Sequence, residues 1–206
     1  MSLRRQFFAV LSAAIVGSIA ALQASAEPMD TLAALDAPLE YTADYSLTAN
    51  GQTWRGTVVH APGRDRREFG TTMGTQAIIL RRDIDQAVVL WPDRKWYLTT
   101  SLTGLSGLFG GPEALTLERH RDGNEVVDGE KCSRWQAEGG FTGRLWFTND
   151  GILMRAVGML RLKGRETSLS TQLAHVRRRV VDMDDFELPV GAHGLTVGPA
   201  LLGKVN

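Results

Sequence analysis

From Tyr41 onward the sequence keeps a period of two. Tyr41, Ala43, Tyr45, Leu47 and Ala49 alternate with the polar Glu40, Thr42, Asp44, Ser46 and Thr48. Successive side chains of an extended chain point to opposite faces, so this segment reads as a half-buried strand and not as a helix. Asn50-Gly51 follows, the strongest two-residue hairpin signal, and QTWRGTVVH returns as the antiparallel partner before the turn Ala61-Pro62-Gly63.

The same grammar recurs along the chain. RDRREF is a polar strand, and QAIILRR and QAVVLW are strands joined through Asp83-Ile84-Asp85. Pro92-Asp93 turns the chain into KWYLTT, and LTLERHR comes later. KCSRWQAE follows Asp128-Gly129, and RLWFT precedes Asn149-Asp150-Gly151. A long hairpin, ILMRAVGMLRLKG with RETSLSTQLAHVRRR, turns near Lys163-Gly164-Arg165. About ten or eleven strands at hairpin spacing, with no alternation of strand and helix, predict one antiparallel sheet curled into a barrel or half-barrel. Twenty-two glycines against seven prolines agree with a turn-rich β chain. A short helix is expected over Met29–Ala37, ended by Pro38.

The first 26 residues read as a targeting segment. Arg4 and Arg5 precede the apolar run Phe7–Leu22, which is short for a bilayer span of about 20 residues, and Ala24-Ser25-Ala26 is a small-x-small cleavage site. The expectation is a signal peptide over 1–26, cleaved near Ala26, and one domain over 27–206 in the periplasm. Cleavage changes a balanced 23 basic and 23 acidic residues to a net charge near −2, since Arg4 and Arg5 leave with the peptide. A nucleic-acid binder needs a basic surplus, so that class is excluded.

Catalytic signatures fail on spacing. GLSGLFG has Leu108 where a nucleophile elbow requires glycine, and neither a phosphate-binding loop nor a dinucleotide fingerprint is present. His60, His120, His175 and His193 are far apart and read as surface residues of strands; no metal site and no cofactor is expected. The single Cys132, in an alternating segment, reads as a half-buried structural thiol. Asp182–Asp185 reads as a solvated turn, and the clusters Arg64–Glu68 and Arg177–Arg179 read as solvated strands. Trp54, Trp91, Trp96, Trp135 and Trp146 all fall in strands, where core packing is the first explanation and ligand contact the second. The chain is therefore expected not to be an enzyme.

One segment breaks the pattern. Ser101–Leu115 interleaves Leu102, Leu105, Leu108 and Phe109 with four glycines, as a loop with one helical turn. Two readings stand side by side: a lid over the mouth of an open barrel, or a long connection packed on the core.

The order of segments resembles the LolA-like superfamily of periplasmic lipoprotein-carrier proteins. The residues that carry the likeness are the strand with an aromatic start, the Asn-Gly hairpin, GTVVHAPGRDRREF, AVVLWPDRKWYL, and the closing DDFELPVG with Phe186, Pro189 and Gly191. The likeness covers about Tyr41 to Gly191 and is strongest to a small uncharacterised, DUF4412-like branch. It implies an open antiparallel half-barrel whose concave face holds acyl chains, with helices or loops against it. The family's sorting carrier has an arginine before the proline where this chain has Ala61, which separates the implied fold from the lipoprotein-release mechanism.

The expected function is to bind and carry a lipid, acyl chain or lipoprotein-type amphiphile as a monomer, served by envelope membrane proteins that load or unload it. The parity of the strands selects Tyr45, Leu47, Trp54, Val58, Ile78, Leu80, Val89 and Trp91 as the lining, with Leu105, Leu108 and Phe109 from the loop. The alternative is a non-catalytic envelope interaction or sensor module whose barrel is filled by its own side chains.

Overall fold

The computed structural model describes residues 36–72, 74–102, 117–162 and 165–197. They form a single twelve-stranded sheet, curved and not closed. Six strands come first in chain order: β1 (Tyr41–Ala49), β2 (Gln52–Ala61), β3 (Arg64–Thr71), β4 (Gly74–Arg81), β5 (Gln86–Trp91) and β6 (Trp96–Thr100). Five more follow: β7 (Leu117–Val127), β8 (Glu130–Gly139), β9 (Phe141–Thr148), β10 (Leu153–Leu162) and β11 (Arg165–Arg178), and β12 (His193–Thr196) ends the series.

The order across the sheet is β12-β6-β5-β4-β3-β2-β1-β11-β10-β9-β8-β7. Two antiparallel meanders therefore meet at β1, which pairs with β2 on one side and with β11 on the other. The Asn50-Gly51 turn takes the left-handed backbone that this dipeptide favours, with φ of 49° and 79°. Asp128-Gly129 does the same between β7 and β8.

Three differences from the sequence reading concern the sheet. First, β7 continues past the expected LTLERHR segment to the Asp128 turn, with a bulge between Arg121 and Gly123. Second, β12 is a strand that alternation did not signal. It pairs in parallel with β6 through backbone groups, and its four residues are exposed, so no apolar face marks it. Third, no helix of seven or more residues occurs among the described residues. The helix expected over Met29–Ala37 and the lid over Ser101–Leu115 fall almost wholly outside them.

Each face of the first meander buries its own set. Tyr41, Ala43, Tyr45, Leu47 and Ala49 of β1 share a cluster with Trp54, Val58, Ile78, Leu80, Val89 and Trp91. We call this the core face; Cys132, Trp146, Met154 and Leu160 of the second meander belong to the same cluster. On the opposite face, Ala61, Ala77, Ile79, Val88 and Leu90 are covered by Val181, Phe186 and Leu188 of the segment after β11. Polar contacts pin that segment: Arg66 Nη1 donates to the Asp185 carbonyl at 2.9 Å, and Arg81 Nη1 to Glu187 Oε2 at 2.8 Å. Asp182–Asp185 is a solvated turn, as expected, with Asp182 and Asp184 exposed. It forms a 3-10 turn, Met183–Phe186, that seats the buried Phe186 against the sheet.

Candidate functional site

Of the eleven expected lining residues, the eight selected by strand parity lie among the described residues, and all eight belong to the core-face cluster. None is more than 8% exposed. The pairings show how the face is laid out: Leu47 faces Trp54 across β1–β2, and Ile78 faces Val89 across β4–β5. Trp91 packs on Trp96 with ring centroids 5.0 Å apart. Leu105, Leu108 and Phe109 lie outside the described residues. Ala61, the position that departs from the family's arginine, is buried on the opposite face beside Val181 and Phe186.

At one end of the core face stands a group of ionisable side chains that the sequence reading placed in solvent. Asp65 has no exposed surface and Arg67 is 3% exposed. Arg67 Nε donates to Asp65 Oδ1 at 2.9 Å and Nη2 to Asp65 Oδ2 at 3.2 Å. A two-residue spacing along β3 puts Asp65, Arg67 and Phe69 on one face, and Phe69 belongs to the core cluster. Parity with Phe69 was the available signal; the run of charges in RDRRE hid it.

His60, read as a surface histidine, is fully buried. Its ring stacks on Tyr41 at 4.8 Å, and Nε2 lies 3.0 Å from the Ala37 carbonyl. A carbonyl only accepts, so Nε2 carries the proton, while Nδ1 faces Asp65 Oδ2 at 3.6 Å. Asp36 completes the group, accepting from Arg82 Nη1 at 2.9 Å and from the Gly63 amide. The four formal charges, on Asp36, Asp65, Arg67 and Arg82, cancel.

The Arg67 guanidinium also lies over the Tyr45 ring, its carbon 4.6 Å from the centroid. The residue of β2 opposite Tyr45 is Gly56, so no side chain stands between that ring and β3. Burial works against the Asp65 charge, yet the Arg67 guanidinium and the His60 ring hold its carboxyl well below the usual carboxylate range. Burial pushes the Tyr45 phenol up, with the nearby guanidinium pulling the other way. Tyr41 is likewise raised, by burial first and Asp65 second.

Among the described residues no group of three or more His, Cys, Asp or Glu side chains is placed to hold a metal ion. Cys132 is buried, and its thiol is pushed up to about 11 by burial first and by Glu130 second. It should therefore react with a disulfide reagent at pH 8 about a hundredfold more slowly in the folded protein than in urea. Equal rates would place the thiol in solvent.

No family model matches the chain, and no curated protein does. Solved structures match it as folds. An uncharacterised conserved protein from Thermus thermophilus superposes with a TM-score of 0.55 at 11% identity, over 78% of this chain and 91% of that one. MucB superposes with a TM-score of 0.50 at 13% identity, over 88% of this chain but only 64% of MucB. A putative outer membrane lipoprotein-sorting protein domain from Vibrio parahaemolyticus is matched at 13% identity over 72% of this chain and 89% of that one; its TM-score of 0.38 is too loose to bear on the reading. At these identities the Thermus thermophilus protein and MucB share a fold with the chain and nothing finer.

Proposed function

We propose that the chain is an exported carrier that holds the apolar part of an amphiphile against the core face of β1–β5. The observation that carries this reading is the continuity of that face: eight side chains selected by parity on four strands form one apolar surface. Each methylene taken from water there is worth about 0.8 kcal/mol, so a long acyl chain gains enough for retention during transit. The targeting segment supports a periplasmic location, and a soluble carrier is useful there because free acyl chains cannot cross an aqueous compartment unaided.

A second reading has one observation in its favour. MucB, whose fold the chain shares, has also been solved in complex with MucA(peri). Under that reading the sheet presents a surface to an envelope protein and its interior stays filled by its own side chains.

Native mass spectrometry of protein purified from its host, followed by organic extraction, separates the two. The carrier reading expects an acyl lipid released in about equimolar amount. Protein that carries no lipid, and takes up none when incubated with host membranes, would leave the interaction module as the function.

A further inference from the structure

Tyr45 is in the middle of β1, 2% exposed, and its Oη makes no hydrogen bond among the described residues. An unpaired buried hydroxyl is a cost to the fold, and a phenylalanine would pack there without it. The hydroxyl marks a boundary. By strand register, Asp65 and Arg67 lie to one side of Tyr45 along the face and Leu47 and Trp54 to the other, with Phe69 level with it across Gly56. The Arg67 guanidinium meets the π face of the ring and donates twice to Asp65, and it stands near enough to the Tyr45 hydroxyl to pull the phenol down against the effect of burial.

Resting on the carrier reading, we propose that Tyr45 Oη is the head-group donor of the ligand site and selects an uncharged acyl ester, gripped through its carbonyl oxygen, over a free fatty acid. Two observations favour this class. Burial keeps the phenol protonated, so Oη donates and wants an acceptor. Asp65 already neutralises Arg67 at hydrogen-bond distance, so the site has no surplus positive charge to offset a buried carboxylate. An ester carbonyl accepts from Oη without bringing a charge into the interior, while its chain follows the apolar face.

The test uses the full-length protein stripped of lipid on a hydrophobic resin. Titrations with 1-monopalmitoylglycerol and with palmitate at pH 8 are followed by tryptophan fluorescence, in wild type and in Tyr45→Phe. The ester should bind wild type at least about tenfold more tightly than palmitate. Tyr45→Phe should weaken the ester about tenfold, the loss of one buried hydrogen bond, and leave palmitate within about twofold. The same variant should melt at a higher temperature than wild type, because it removes an unpaired hydroxyl; a residue with only a packing role would not combine a gain in stability with a loss of ester binding. A diacylglyceryl-cysteine peptide distinguishes a glycerolipid from an acylated polypeptide as the source of the ester, and tighter binding of either supports the site. Palmitate binding as tightly as the ester, or ester affinity unchanged in Tyr45→Phe, overturns the head-group assignment and leaves the carrier reading standing. Binding of none of the probes to wild type overturns both.

Discussion

Arg67→Met should destabilise the fold by about 3–5 kcal/mol, because it leaves the Asp65 carboxylate without its bidentate partner in the interior. Urea unfolding measures this directly. The double variant Arg67→Met with Asp65→Leu should recover most of the loss, since an apolar pair of similar volume needs no compensation. A single variant that costs less than about 1 kcal/mol would mean that the pair is solvated in solution. The pH dependence follows from the same contact. The folded state holds Asp65 ionised well below the usual carboxylate range, so its contribution is complete above the unfolded value of about 4 and is lost as the pH falls below it. Wild type should therefore lose stability in acid more steeply than the double variant.

Gly56→Ala is expected to be comparably severe for a different reason. A Cβ at Gly56 would lie 1.7 Å from the backbone carbonyl oxygen of Glu68 in β3. That oxygen belongs to a strand held on both sides, by β2 and by β4, and cannot withdraw without breaking the ladder. The substitution should cost at least about 3 kcal/mol. Gly70→Ala is the control: it lies in β3 with nothing within 4 Å of its added methyl group, and should change stability by less than about 1 kcal/mol. Equal melting temperatures for the two variants would show that β2 and β3 are not this close.

Much of the architecture was legible because alternation and turn chemistry act locally. Tyr41–Ala49, its Asn50-Gly51 turn and the return through Trp54 and Val58 each follow from contacts within a few residues. The shared face of Tyr45, Leu47, Trp54 and Val58 was legible for the same reason, since parity fixes the face once one member is known to be buried. Asp65, Arg67 and His60 were misread because charge was weighed above parity. Asp65 and Arg67 alternate with Phe69 as regularly as Tyr45 does with Leu47, and each charge is compensated within the cluster instead of by water. β12 could not be read at all: His193–Thr196 is held to β6 by backbone hydrogen bonds, which every sequence can make. The segment leading to it is anchored by the burial of Phe186 with Val181 against the sheet.

The position of β1 has a consequence for how the chain reaches this state. One neighbour, β2, is joined to it by a two-residue turn; the other is remote, with Ser46 and its partner Gln172 separated by 126 positions. Hairpins of the first meander can form within microseconds, whereas the β1–β11 seam must wait for a large loop to close. Until it does, β1 presents a free edge of unpaired backbone groups along its whole length, which is a template for pairing with another unfinished copy. A chain that emerges N-terminus first during synthesis would hold that edge open for as long as the C-terminal third is still being made. The seam at the centre of the finished sheet is therefore sealed only once β11 is available, and until then the growing chain is prone to aggregate there.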